Sequence, residues 1–285
     1  MHFLTLFILI FVTTTTFAAA EKPRKVPKGP NLKSEHVLVL DEEGKTIISK
    51  NAHKRTAIAS ITKLMTAMVV LDAKQNMNQI LTISKADRDR LKLTGSRLNY
   101  GAKLKRKTML KLALSASENR AAHVLSRYFP GGKKAFVRAM NAKAKSLGMS
   151  NTRFRDPTGL SPGNVSTAHD LAIMVDAAYQ YPFIRKASTT QKTFVRPFKN
   201  RAMMEYWTTN RFLQKKSWKW RIYLTKTGYI KEAGRCLVMR ARTANKTMTI
   251  VLLNSFGKLT PYGDSNRIRK WLGGSDYQKQ MAWSH

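Results

Sequence analysis

Acidic residues are scarce in this chain. Sixteen Asp and Glu stand against 52 Lys and Arg in 285 residues, a net charge of +36. Such an imbalance attracts anionic polymers, whether nucleic acid, acidic lipid headgroups or a cell-wall polyanion. The excess is spread along the chain and not gathered into one arm. Its densest stretch, Arg185 to Arg221, has eleven basic residues against Glu205 alone. Diffuse charge with no recognisable binding module speaks against nucleic acid as the partner and leaves electrostatic association with an anionic wall or membrane surface. Cysteine is nearly absent. Cys236 by itself excludes an intramolecular disulfide, and its place in the run Cys236-Leu237-Val238-Met239 points to a buried thiol.

Long apolar runs are lacking too. The longest, Phe3 to Val12, would span about 15 Å as a helix, half the hydrocarbon core of a bilayer. With small residues at Ala18 and Ala20 it reads as a signal peptide over residues 1–20, cut before Glu21, although no Lys or Arg precedes Phe3. The mature protein is thus expected to be exported and soluble. The six histidines, His2, His36, His53, His123, His169 and His285, have no metal-ligand spacing, so neither a metal nor a cofactor is expected.

What is present is enough for one large core. Residues 21–34 hold three prolines and five basic residues and read as a flexible basic leader. Residues 35–273 read as a single domain and 274–285 as a tail. His36 to Leu40 and Lys45 to Ser49 flank Asp41-Glu42-Glu43-Gly44, a hairpin signal. Helical spacing appears from Ser60, over Thr108 to Leu114, over Ala121 to Phe129 and over Phe136 to Leu147, which Gly148 stops. Gln79 to Ile83 suits a short strand. Asp156 to Asn164 is rich in turn formers, and Thr167 with Asp170 forms a capping-box pattern at the start of a helix whose first turn holds His169. Strands are expected over Trp220 to Lys226, Arg235 to Arg242 and Thr247 to Asn254, and a last helix carries Ile268, Trp271 and Leu272. Helices in the middle and strands at both ends imply an α+β fold, an antiparallel sheet with a helical subdomain.

Three short patterns carry chemistry. Ser60 and Lys63 are three residues apart where a helix starts, so the amine can reach the hydroxyl. A serine needs a base to become a nucleophile, and lysine is one only when its pKa falls from about 10.4 to about 7 or 8. The spacing alone is weak, since it recurs at Ser255 and Lys258. Ser117 and Asn119 fall at a corner between two helices, and Lys226-Thr227-Gly228 closes a predicted strand, whose edge can pair with an extended peptide. In this order the three match the signature set of penicillin-recognising serine enzymes.

With the flanking blocks Ala59 to Ala67, Ser117 to Ala122, Met140 to Ala144, Asp156 to Leu160, Lys226 to Ile230 and Glu232 to Met239, the chain resembles the low-molecular-mass penicillin-binding proteins. These are serine D-alanyl-D-alanine peptidases, and within them the chain is most similar to the type-7 endopeptidases. The resemblance implies a β-lactamase/DD-peptidase-like fold, a periplasmic location and peptidoglycan peptide stems as substrate, with β-lactams as acylating inhibitors. It implies that Ser60 attacks the D-alanyl carbonyl while Lys63 takes its proton, that Ser117 relays the proton to the leaving nitrogen, and that Asn119 holds the substrate backbone. Lys226 would depress the pKa of Lys63 and steer the substrate carboxylate, with Thr227 and Gly228 beside it, and the N–H groups of Ser60 and Tyr229 would form an oxyanion hole. No glutamate lies between Glu118 and Glu205, so the deacylating glutamate of class A β-lactamases has no counterpart there. The chain is expected to lack the extra β-domain and anchor helix of the carboxypeptidase relatives. Cleavage of D-alanyl-meso-diaminopimelate cross-links is the leading expectation. Carboxypeptidase action on pentapeptide stems is the alternative, and a non-enzymatic basic binder of anionic polymer is the alternative of a different class.

Overall fold

In chain order the strands are β1 (His36–Leu40), β2 (Thr46–Lys50), β3 (Thr56–Ala57), β4 (Ile80–Thr82), β5 (Lys103–Lys105), β6 (Val165–Ser166), β7 (Lys192–Val195), β8 (Met204–Trp207), β9 (Arg221–Ile230), β10 (Gly234–Thr243) and β11 (Lys246–Ser255). The helices are α1 (Lys63–Asp72), α2 (Arg106–Ser115), α3 (Asn119–Arg127), α4 (Gly132–Ser146), α5 (Ala168–Tyr179), α6 (Pro182–Ser188), α7 (Arg211–Gln214) and α8 (Thr260–Leu272). The computed structural model describes residues 29–215, 219–243 and 245–274. The signal peptide read over residues 1–20 and most of the tail read over 274–285 lie outside the described residues.

β1, β2, β9, β10 and β11 make one antiparallel sheet in the order β2-β1-β11-β10-β9. Both chain ends therefore complete it, as expected. Its central strands are covered on both faces. On one face Leu38, Leu224, Val238, Val251 and Leu253 join the core of the helical subdomain. On the other, Val37, Val39, Leu237, Met239, Ile250 and Leu252 pack with Ile268 and Leu272 of α8. Two buried faces explain why β10 and β11 read as continuous apolar runs and not as alternating ones.

α1 runs through the middle of the helical layer, with every residue from Lys63 to Val70 buried, the pattern of a helix enclosed on all sides. It packs against α2, α3, α4, α5 and α6. No described helix is long and apolar enough to cross a membrane.

Three expectations are corrected. The segment read as a flexible leader is tied down at its end: Leu32 and Ser34 are buried, and the Asp264 carboxylate accepts from the Lys33 and Ser34 amides and the Ser34 hydroxyl at 2.6 to 3.0 Å. The predicted strand that was to close at Lys-Thr-Gly continues through it to Ile230, because β10 pairs with β9 in register from Gly234 opposite Ile230 onward. The capping box at Thr167 is half formed. Thr167 accepts from the Asp170 amide at 3.0 Å, while the Asp170 carboxylate turns to Asn151 N and Thr152 Oγ1.

Candidate active site

Ser60 does not lie in an α-helix. It sits in a 3₁₀ turn, Ala59–Thr62, and α1 begins at Lys63. A side-chain hydrogen bond and a strained backbone angle mark that turn. The Thr62 hydroxyl donates to the Ala59 carbonyl at 2.8 Å, and Ala59 adopts a left-handed φ of 46°, sparsely populated for a residue with a side chain. Gly159 closes over it. A Cβ at position 159 would lie 1.8 Å from the Ala59 oxygen, so only glycine fits.

Asp156 shapes the loop that brings Gly159 there. Its carboxylate accepts from the amides of Thr158, Gly159 and Ser161 and from the Thr158 hydroxyl, at 2.5 to 2.8 Å. The loop is fastened to α1 through the Thr66 hydroxyl, which donates to the Pro157 carbonyl at 2.6 Å. This leaves the Thr158 carbonyl 2.9 Å from Lys63 Nζ.

Lys63 is fully buried, and its Nζ has close neighbours besides Thr158: Ser60 Oγ at 2.7 Å, Asn119 Oδ1 at 2.8 Å and Ser117 Oγ at 3.5 Å. Burial lowers its pKa from 10.5 to about 7, against the opposing pull of Asp156 and Glu118. A neutral amine has two N–H donors and one lone pair. The Thr158 carbonyl and Asn119 Oδ1 can only accept, so they take the two N–H groups and the lone pair is left for the Ser60 hydroxyl. In that neutral form, which burial brings within reach near pH 7, Lys63 can act as a base.

Ser117 and Asn119 come from the corner between α2 and α3. Ser117 has a left-handed φ of 58°, and Glu118 caps α3 by accepting from the Arg120 amide at 3.1 Å while its carboxylate also takes the Ser96 hydroxyl. Asn119 Nδ2 donates to Thr94 Oγ1 at 3.0 Å, which fixes the orientation of Oδ1 toward Lys63. Lys226, on β9, donates to Ser117 Oγ at 2.9 Å and to the Thr227 carbonyl at 2.8 Å. Ser117 Oγ thus lies between two lysines.

The role expected of Lys226 changes in two respects. Burial is the leading cause that lowers Lys63. Lys226, equally buried, is itself held well below the usual lysine range, first by burial and then by the Lys63 charge. Nor does Lys226 reach the cleft wall. The cleft, of about 300 Å³, is lined by Ser60, Ser117, Asn119, Thr227, Gly228 and Tyr229 of the expected residues, with both lysines beneath it. Its cationic lining is Arg211, Arg235 and Lys258, none of which was expected as a site residue. Arg235 lies 3.7 Å from the centre of the Tyr229 ring.

Because β9 is an edge strand of the sheet, its free edge is available to an extended peptide. Gly228 keeps that edge close to the nucleophile, for a Cβ there would lie 3.0 Å from Ser60 N and would crowd its N–H. Thr227 Oγ1 donates to Thr209 Oγ1 at 2.6 Å. Cys236 is buried as expected, and burial pushes its thiol up to about 12. His169 is half exposed beside Asp170 and outside the cleft. Among the described residues no group of His, Cys, Asp and Glu has the arrangement of a metal site.

Comparison with known proteins identifies the family. The chain is 43% identical over 273 residues to a D-alanyl-D-alanine endopeptidase of Pseudomonas aeruginosa, covering 95% of this chain and 87% of the relative. It is 44% identical over 252 residues to a D-alanyl-D-alanine endopeptidase of Escherichia coli, covering 85% and 78%. The crystal structure of the Streptomyces K15 DD-transpeptidase superposes with a TM-score of 0.78 at 26% identity, over 86% of this chain and 98% of that one. A family model described as D-alanyl-D-alanine carboxypeptidase matches residues 22–257. The chain belongs to this D-alanyl-D-alanine carboxypeptidase family of serine peptidases.

Proposed function

We propose that the protein is a serine endopeptidase that hydrolyses D-alanyl-meso-diaminopimelate cross-links of peptidoglycan through an acyl-enzyme on Ser60. The observation that carries this reading is the 2.7 Å approach of a buried lysine, Lys63, to Ser60 Oγ, in a chain 43 to 44% identical to endopeptidases. Ser60 Oγ attacks the D-alanyl carbonyl and gives its proton to Lys63 Nζ. The amide N–H groups of Ser60 and Tyr229 stabilise the oxyanion, where a single donor is worth about 3 kcal/mol of barrier. On collapse the proton passes from Lys63 by way of Ser117 to the departing nitrogen. Water then hydrolyses the ester and restores Ser60.

Asn119 holds both Lys63 and the substrate backbone, and the edge of β9 at Thr227 to Tyr229 pairs with the stem. Lys226 positions Ser117. The carboxylate on the D-centre of meso-diaminopimelate meets Arg211, Arg235 or Lys258 on the cleft wall. A terminal D-alanine presents the same carboxylate, and the description of the matching family model favours carboxypeptidase action as a second activity of the same site. β-Lactams acylate Ser60 in place of the peptide. The mature chain acts in the periplasm after loss of residues 1–20, and its charge of +36 holds it to anionic wall polymer.

The pH profile of acylation tests the assignment of the base. Lys63 works when neutral, so below its folded pKa of about 7 the rate is expected to rise about tenfold per pH unit and to level off above it. Stopped-flow labelling with a fluorescent penicillin between pH 5 and 9 reads this directly. A rate still climbing at pH 9, as an unperturbed lysine would give, speaks against Lys63 as the base.

A further inference from the structure

A second cavity, of about 420 Å³, adjoins the cleft across Leu160, which lines both. Its walls carry four exposed cations, Arg88, Arg90, Lys133 and Arg155. None of the four has an ion pair or side-chain hydrogen bond with another described residue. The two carboxylates on the same walls keep their charge, but both direct their oxygens into their own loops and leave the four cations without a direct partner. Asp156 is saturated by the amides that shape the loop over Ser60. Asp89 accepts from the amides of Leu91, Lys92 and Thr94 and from the Thr94 hydroxyl. With four cations against two carboxylates, the lining carries a net positive charge.

A second, independent feature points the same way. His123, on α3, lines this cavity with only 8% of its surface exposed, and its Nε2 has no hydrogen-bond partner. A buried polar atom without a partner costs about 1–3 kcal/mol, a cost that a ligand reaching it from the cavity would remove. Burial, followed by the Lys133 charge, lowers the imidazole to about 4. It is neutral at pH 7, and its Nε2 can carry the proton and donate it.

We propose that this cavity is a subsite for a free carboxylate of the cross-linked peptide away from the scissile bond, held by Lys133 and Arg155 with His123 Nε2 as a neutral donor. The inference rests on the reading of the cleft as a site for cross-linked stems. It deepens that reading, since it makes the enzyme prefer a substrate with a second carboxylate, one long enough to reach past Leu160. A pentapeptide stem bound only by its terminal D-alanine would gain less from it.

Competition against fluorescent-penicillin acylation tests it without requiring turnover. The probes are a dimeric muropeptide and its twin amidated at every carboxyl except the one beside the scissile bond. The free acid is expected to compete about tenfold better than the twin, about 1.4 kcal/mol, with the preference falling to about twofold or less in the Lys133→Glu/Arg155→Glu variant, as for loss of a charge-assisted pair. His123→Leu should weaken the preference and His123→Gln keep most of it. Each variant's acylation rate without competitor is its own reference, which separates folding from binding. Equal competition by the two probes in the wild type, or a preference that survives the double charge reversal, overturns the subsite. A dimer that competes with this preference yet is never cleaved sinks the endopeptidase reading and leaves the subsite standing.

Discussion

Lys63→Met is expected to slow acylation of Ser60 by a fluorescent penicillin about 10²- to 10⁴-fold, the range for loss of a positioned general base. The folded structure should persist, as near-ultraviolet circular dichroism will report, because methionine has a similar unbranched shape and brings no charge into a fully buried position. The substitution leaves Asn119 Oδ1 and the Thr158 carbonyl without the donor they share at 2.8 and 2.9 Å, so some loss of stability accompanies it. Lys63→Arg separates two explanations. Arginine keeps the positive charge but cannot be deprotonated in a protein. If Lys63 serves as a base, arginine is as inactive as methionine. If it served only as a charge beside the nucleophile, arginine would restore much of the rate.

Gly159→Ala is expected to be the most damaging single-methyl addition to the fold. The new carbon would stand 1.8 Å from the Ala59 oxygen and 2.3 Å from its carbonyl carbon, and the φ of 83° is strained for any residue with a side chain. No rotamer relieves a Cβ clash, so the backbone must move. The residue that moves with it is Thr158, whose carbonyl is an acceptor for Lys63. A loss of about 3 kcal/mol or more is expected, at or above the usual upper range for overpacking, read as a lower denaturant midpoint with an unchanged slope. Acylation should fall as well in the fraction that folds. Gly148→Ala is the control. Its φ is also positive, at 77°, but nothing lies within 4 Å of the added carbon. It should cost about 1 kcal/mol and leave acylation alone, whereas an equal cost at the two positions would show that φ, and not the approach to Ala59, decides the matter.

The side chains of the site were legible in the sequence because each belongs to a short pattern with its own geometry. Ser60 and Lys63 are joined by one turn, Ser117 and Asn119 by one helix corner, and Lys226 to Gly228 by one strand. The contacts that convert those side chains into a site were not. The Thr158 carbonyl that binds Lys63 is a backbone atom, and any residue type supplies one. Its placement depends on Asp156 folding a loop and on Gly159 passing over Ala59, a meeting of residues 100 positions apart in the chain.

The chemistry asked of Lys63 called for burial, but no composition signal showed it for either lysine. In a chain with 52 basic residues, composition predicts lysines on the surface, and only packing beneath the cleft reveals that Lys63 and Lys226 are enclosed. The sheet and the main helices were readable from periodicity. The β7–β8 hairpin was not, since Phe194 and Trp207 face outward and give the alternation no polar side. Ser34 looked like part of a mobile leader because its partner, Asp264, is 230 residues away.

The most direct test of Ser60 as the nucleophile of a cross-link hydrolase is digestion of purified dimeric muropeptides by the purified protein and by its Ser60→Ala variant, followed by chromatography and mass spectrometry. Release of monomers by the wild type, blocked by prior treatment with penicillin and absent in Ser60→Ala, is the predicted result. Monomers released equally by Ser60→Ala, or none released by a wild-type protein that penicillin still acylates, would contradict it.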